Sequence, residues 1–105
     1  MTDGGTVIAE IQVAPSPPGT PQDPHAHVEA AIAVIQASGL KYEVSALGST
    51  FEGEPDAVWP LIRRVHEATL SAGAKSVVSI VKLFEAAAEE PPTMSSLTSK
   101  FRDEP

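Results

Sequence analysis

Residues 38–56, which read SGLKYEVSALGSTFEGEPD, constrain the fold more than any other part of the chain. Gly39 follows an apolar helical run, and glycine enters the left-handed conformation that ends many helices without a Cβ penalty. From Tyr42 to Phe51, apolar and polar residues alternate with a period of two, and Leu47-Gly48 interrupts them where the chain can reverse tightly. The stretch therefore predicts the end of a first helix followed by a β-hairpin with one apolar and one polar face.

A second helix is predicted to begin at Pro55, because proline suits a first helical position, where its missing N–H has no partner to lose. It is expected to end at Ala72-Gly73. Pro60 lies one turn inside, where its ring opposes the carbonyl four residues back, so the helix either begins near Trp59 or is distorted in its first turn. An apolar stripe at spacings of three and four supports the helix, and it comprises Val58, Leu61, Ile62, Val65 and Thr69.

The region before the hairpin predicts a strand, a loop and a helix. Residues 14–23 hold four of the chain's ten prolines, which favours an extended loop outside the sheet. Asp23-Pro24 resembles a helix cap and first helical residue, and the helix is expected to run to about Ala37. The first strand alternates, with Val7, Ala9, Ile11 and Val13 expected to face the helices and Ile8, Glu10 and Gln12 to face away.

Residues 75–83 predict a last strand that is apolar on both faces, so we expect a partner chain to cover the face away from the helices. Residues 84–90 consist mainly of alanine and glutamate and predict a short helical or frayed segment. In the polar tail that follows, Met94, Leu97 and Phe101 are spaced at three and four residues. Such a tail is either solvated or docked on another surface, and we favour docking on a neighbouring subunit.

The predicted order is strand, helix, strand, strand, helix, strand. Two right-handed crossovers close this order into an α+β, ferredoxin-like βαββαβ sandwich, a four-stranded antiparallel sheet with both helices on one face. The predicted division is a flexible N-terminus (1–5), one ferredoxin-like domain (6–84) and a C-terminal spacer and tail (85–105). This fold supports many activities, so it assigns none by itself.

Composition excludes several classes of function. The 105 residues suit one domain, and a net charge of −7 argues against nucleic acid and anionic membranes as partners. The absence of cysteine excludes disulfides and thiol chemistry. No signal peptide or run of about 20 apolar residues is present, so we expect a cytoplasmic protein.

The histidines do not favour a metal site. His25 and His27 are two residues apart at a helix start, and His66 is distant, whereas zinc needs three or four converging ligands. We therefore interpret them as exposed or as helix-cap residues. No nucleophile motif or glycine-rich phosphate loop is present either, which makes covalent catalysis and nucleotide transfer poor candidates.

Six segments resemble the small thiamine-binding proteins, a ferredoxin-like family also described as binding the hydroxymethylpyrimidine half of thiamine. They read VIAEIQVAP, SGLKYEV, LGSTFEGEPD, RVHEA, AKSVVSIVKL and PTMSSLTSKF, and together they span nearly the whole chain. The resemblance implies a binding role without catalysis, in homodimers that often pair into homotetramers.

Thiamine suits the polar face of the predicted sheet, because its aminopyrimidine needs donors and acceptors and its thiazolium is a fixed cation. A merely solvated sheet face is the alternative. Tyr42, Phe51 and Trp59 offer aromatic faces to the cation, although strand parity favours the core for Tyr42 and Phe51.

We expect no cofactor beyond thiamine as bound ligand. The alternatives to a thiamine binder are a self-assembling module without a ligand and a small ferredoxin-like enzyme. The predicted ligand-binding residues are Glu10, Gln12, Glu43, Ser49, Thr50 and Glu52.

Overall fold

The structure is a computed structural model, and it describes residues 6–102. The loose end predicted for residues 1–5 lies outside this range, as do residues 103–105 of the tail. The strands are β1 (Val7–Ser16), β2 (Lys41–Ser45), β3 (Gly48–Gly53) and β4 (Ser76–Glu85). The helices are α1 (Ala26–Gln36), α2 (Pro55–Ala72) and α3 (Met94–Thr98), and a 3-10 turn (Ser99–Phe101) follows α3.

The four strands form one antiparallel sheet in the order β2-β3-β1-β4. Helices α1 and α2 pack together on one face of it, and the other face is called the outer face below. The predicted ferredoxin-like α+β fold is confirmed. Within residues 6–102, no helix combines the length and the apolar character needed to cross a membrane.

Alternation in β1 places the core between the sheet and the two helices. Val7, Ala9 and Ile11 are at most 3% exposed, whereas Glu10 and Gln12 are exposed on the outer face, as their parity predicts. Removing these apolar side chains from water supplies the main stabilisation of the fold. The buried cluster comprises Val7, Ala9, Ile11, Ala31, Ile35, Phe51, Val58, Leu61 and Val65.

β1 is longer than predicted, because its proline does not end it. Residues 14–16 were expected in a loop, but they continue the ladder with β4, and Pro15 pairs with Val77. β3 pairs with β1 only as far as Ile11, so one side of β1 has no neighbouring strand beyond that residue. Proline is tolerated at such an edge, where its missing N–H faces no strand.

Helix α1 begins at Ala26, two residues later than predicted. The Asp23 carbonyl accepts hydrogen bonds from the N–H groups of Thr20 (2.9 Å) and Ala26 (3.1 Å), so Asp23 closes a turn and does not cap the helix with its side chain. Gly39 has the expected positive φ of +82°, but it lies in the turn after the helix, which ends at Gln36.

The hairpin reverses one residue earlier than predicted, at Ala46-Leu47, because Ser45 pairs with Gly48. Helix α2 begins at Pro55 and continues through Pro60, so a start near Trp59 is wrong. Pro60 is exposed, so water can reach the carbonyl that the proline leaves without a donor.

β4 extends to Glu85, and the helical segment predicted for residues 84–90 is wrong. Phe84 and Glu85 pair with Ile8 and Val7 of β1, which places them in the sheet. Residues 86–93 have no helix or strand. An alanine-rich stretch of this length forms no stable helix in water unless it packs against the rest of the protein.

Candidate functional site

One row of polar side chains crosses the outer face of the sheet. The strand register aligns Glu43 of β2 with Thr50 of β3, Thr50 with Glu10 of β1, and Glu10 with Lys82 of β4. Glu52 pairs with Lys41 in the neighbouring row. Four of the six predicted ligand-binding residues therefore lie near one another on this face, and Gln12 follows Glu10 by one strand repeat.

The carboxylates in this array already have partners within the chain. The Arg102 guanidinium donates to Glu43 at 2.7 Å, with a second N–O contact of 2.5 Å, and the backbone N–H of Met94 donates to Glu52 at 2.7 Å. Lys82 lies 3.8 Å from Glu10. The Arg102 hydrogen bond lowers the pKa of the Glu43 carboxyl below its ordinary value. Glu43 and Glu52 therefore act first as anchors for the C-terminal part of the chain.

The anchored part is residues 94–102, called the C-terminal segment below. Thr93 begins its helix with a capping box, and Met94 is only 7% exposed. The predicted docking surface was a neighbouring subunit, whereas the structure seats the segment on the sheet of its own chain. Leu97 borders the cleft between this segment and the sheet but stays 51% exposed, and Phe101 is 76% exposed, so their docking on a second subunit stays a prediction.

A cleft of about 280 Å³ lies between the outer face and the C-terminal segment. It brings together Glu43 and Thr50 among the predicted ligand-binding residues. Glu10, Gln12 and Glu52 do not line it. The cleft combines an apolar floor at Ile8 with an ion pair between Glu43 and Arg102.

A second cavity, called the inner cavity below, opens on the helix side of the sheet beside the β2–β3 turn and has a volume of about 160 Å³. Ser49 borders it from the helix side of β3, so the sheet separates Ser49 from the acids of the outer face. Gln12 also borders it, although its parity places its side chain on the outer face. Ser49 faces the helices because it shares the parity of buried Phe51. Most of the remaining walls are apolar, and they include Ile11, Val13, Val28, Ile35, Leu47 and Val65.

Ser49 is the distinctive group of the inner cavity. The residue is 5% exposed, and its hydroxyl makes no hydrogen bond to any part of the chain that the structure describes. No fully buried side-chain polar atom among the described residues lacks a partner, so this hydroxyl still contacts solvent. A ligand in the cavity that donates to or accepts from the hydroxyl would replace that solvent contact.

Two of the three histidines, His27 and His66, serve as structural hydrogen-bond partners. His27 is 3% exposed, so its interpretation as an exposed residue is wrong, and its Nδ1 donates to the Pro17 carbonyl at 2.7 Å. Nδ1 of His66 lies 2.6 Å from the Ser79 hydroxyl, which joins α2 to β4. Among residues 6–102, no three histidine or acidic side chains converge as a metal site would require.

The three aromatic side chains that the sequence offers to a cation, Tyr42, Phe51 and Trp59, differ in burial. Phe51 is fully buried, as its parity predicts, but Tyr42 is 39% exposed and Trp59 is 53% exposed. Tyr42 shares the face of Phe51 yet lies on the edge strand β2, beyond most of the cover that the helices provide. None of the three borders the inner cavity or the outer cleft among the described residues.

Comparison with known proteins gives curated relatives that match about half of the chain. The chain is 34% identical over 56 residues to a UPF0045 protein of Clostridium perfringens, and 31% identical over 58 residues to another of Methanothermobacter thermautotrophicus. These matches cover 53% and 54% of this chain and only 59% of each relative, so the chain spans about three fifths of the length of these curated relatives.

Solved structures agree with the fold over more of the chain. A Bacillus cereus domain of unknown function superposes with a TM-score of 0.84 at 31% identity, covering 95% of this chain and 93% of that domain. A Thermotoga maritima protein described as a candidate thiamine biosynthesis or salvage protein superposes with a TM-score of 0.77 at 26% identity, covering 93% and 100%. The sequence profile described as "Thiamine-binding protein" matches residues 9–101. Because that profile covers most of its length, the chain belongs to the thiamine-binding protein family.

Proposed function

We propose that this protein binds thiamine or its hydroxymethylpyrimidine moiety, without catalysing a reaction, and that the pyrimidine ring occupies the inner cavity. Family membership and the likeness to the Thermotoga maritima protein support the choice of ligand. The location depends on one observation, the nearly buried Ser49 at the wall of an apolar cavity, whose hydroxyl has no hydrogen-bond partner within the described part of the chain.

The size of the inner cavity suits one ring. An apolar protein cavity of about 150 Å³ is large enough to bind benzene, and the inner cavity measures about 160 Å³. An aminopyrimidine is a flat ring of similar size that carries hydrogen-bonding groups on its edge. Ser49 supplies a hydroxyl for that edge, while the isoleucine and valine walls contact the ring faces. The thiazolium of thiamine would then lie outside the cavity, where a chain of net charge −7 favours a cation.

The acids of the outer face are weaker candidates for the pyrimidine. Glu43 is paired with Arg102 and Glu52 with the Met94 N–H, so a ligand that takes either carboxylate must first break an existing hydrogen bond. Ser49 has no such bond to break. A substitution at Ser49 should weaken binding only if the ligand lies in the inner cavity, and one at Glu43 only if it lies on the outer face. Mutation can therefore distinguish the two locations.

Isothermal titration with thiamine and with hydroxymethylpyrimidine tests both locations. Ser49→Ala should weaken binding by about 0.5–1.5 kcal/mol, the ordinary net value of one hydrogen bond. The matched control is Ser76→Ala, which removes an exposed strand hydroxyl outside the cavity. Glu43→Gln should leave the affinity unchanged. Weaker binding in Glu43→Gln with native affinity in Ser49→Ala would move the site to the outer face, and no heat with either ligand would reject the function.

We also propose a homo-oligomer, a homodimer or homotetramer, in which the outer face is covered. Val78 is 65% exposed, Ile80 58% and Phe84 44%, and all three lie on this face. Exposed apolar strips of this kind are typical of interfaces. The same strip favours the second candidate function, a self-assembling module without a ligand, and titration separates the two. The cytoplasmic location stays a prediction.

A further inference from the structure

A groove lies beside the outer cleft, between the edge strand β2 and the C-terminal segment. We call it the lateral groove; its volume is about 600 Å³. Its polar walls come from two parts of the chain that are far apart in sequence. They comprise Lys41, Glu43, Ser95, Thr98, Ser99 and Arg102.

Lys41 makes no close ion pair with the described residues. No carboxylate among residues 6–102 lies within 4.0 Å of its ammonium, which donates instead to the hydroxyl of Ser95. Glu43, whose pKa is lowered by Arg102 and also by Lys41, lies farther away. Glu52, its partner across the strands, is occupied by the Met94 N–H. The Lys41 ammonium therefore faces the groove with a neutral hydroxyl as its contact.

Arg102 and the serines complete a set of groups that suits an anion. The Arg102 guanidinium contacts both oxygens of the Glu43 carboxylate, which is the geometry by which arginine also holds phosphate. The Ser95 hydroxyl accepts from Lys41, so its own proton is available to an incoming acceptor. The exposed Ser99 hydroxyl borders the same groove.

The described lining of the groove opposes the charge of the whole chain. Lys41 and Arg102 are two of seven basic residues in a chain of net charge −7, yet among residues 6–102 they outnumber Glu43, the one carboxylate that lines the groove. Glu52 lies opposite Lys41 in the sheet, within the roughly 8 Å over which exposed charges act at physiological ionic strength, but the Met94 N–H holds its carboxylate.

We propose that the lateral groove binds a small anion of the phosphate class, inorganic phosphate or a phosphate monoester. Lys41 and the Ser95 and Ser99 hydroxyls hold its oxygens, and Arg102 is shared between the anion and Glu43. The groove is distinct from the inner cavity, which lies across the sheet, so this binding does not depend on thiamine.

Titration of the full chain with sodium phosphate, at constant ionic strength kept with sodium chloride and without thiamine, tests the site. We expect saturable changes in the amide NMR signals of residues 95, 99 and 102. Lys41→Ala should raise the phosphate dissociation constant roughly fivefold, a value typical of one exposed ion pair. Lys75→Ala, which removes the same charge from an exposed position outside the groove, should leave it unchanged.

Lys41→Gln keeps the length of the side chain and should weaken phosphate as Lys41→Ala does. If both variants melt at the same temperature as the native protein, both are folded. The site is refuted if phosphate gives no saturable shift in the groove, or if Lys41→Ala and Lys75→Ala weaken binding equally, since the second result reports only overall charge. If Lys41→Ala binds thiamine with native affinity, the lateral groove and the inner cavity are separate sites.

Discussion

Replacing Ser49 by valine should make the protein more stable and abolish its binding of the pyrimidine ring. Ser49 is 5% exposed, and its hydroxyl makes no hydrogen bond within residues 6–102. The substitution removes this hydroxyl and adds a methyl group beside an empty space of about 160 Å³. Valine also suits the β3 strand, because β-branched side chains fit a pleated surface.

The magnitude follows from two opposing terms. An added methyl group that leaves water contributes about 0.8 kcal/mol. The lost hydroxyl contributes little, because it still contacts solvent. Overpacking would cost about 1–3 kcal/mol where no space exists, but the cavity offers room for one methyl group. We expect a net gain of about 0.5–1 kcal/mol in the free energy of unfolding, which raises Tm by roughly 3–6 °C in a domain of this size.

Differential scanning calorimetry and isothermal titration on the same preparations measure both effects. Ser76→Val is the control, because it places valine on an exposed strand position outside the cavity and should change neither quantity greatly. A Ser49→Val protein with a lower Tm would show that the cavity has no room for the added methyl group. A variant that binds thiamine with native affinity would show that the ring lies elsewhere.

Three further outcomes follow from the outer face. As pH falls below the ordinary glutamate pKa of about 4.3, protonation of Glu43 through its lowered pKa should release Arg102, because a depressed pKa contributes stability that is present above the ordinary value and lost in acid. Amide exchange of residues 94–102 should rise in that range, and Glu43→Gln should show the faster exchange already at neutral pH. Ile80→Asp should reduce the mass measured by light scattering, since it places a carboxylate in the proposed interface, whereas Leu70→Asp on α2 should not; a native mass for both would place the interface elsewhere. Truncation after Glu90 should lower Tm while circular dichroism stays native, because the buried methionine of the segment contributes about 1.5–3 kcal/mol before the entropy of ordering is subtracted. Identical melting of the truncated and full chains would mean that the segment adds nothing.

The order of the elements and the faces of the strands could be predicted from local patterns. Parity assigned Ile11 to the core and Glu10 to the outer face, and the helical stripe from Val58 to Thr69 is buried. Each assignment needs only neighbours within a few residues, because period two and period 3.6 are properties of the strand and the helix themselves. The crossover order followed from the same elements, since few topologies are compatible with them.

Local errors occurred where a neighbouring strand or turn changed the outcome. Pro15 resembles a strand breaker, but it joins β1 because β4 pairs with one side and the other side is open. Asp23 resembles a helix cap, but its carbonyl closes a turn with Thr20. In both cases the competing hydrogen-bond partners are set by the tertiary path of the chain.

The candidate sites depended most on tertiary structure. The sequence determined that the acids would share one polar face, because parity is a local property. It did not determine that Arg102 would reach Glu43, 59 residues away, and convert a predicted ligand contact into an anchor. Nor did it show that Ser49 would lie beside an empty space, since a cavity is the volume that several packed elements leave unfilled. Whether a charge is neutralised and whether a space is filled depend on residues that are far apart in the sequence. Only the folded chain therefore decides which polar groups are left for a ligand.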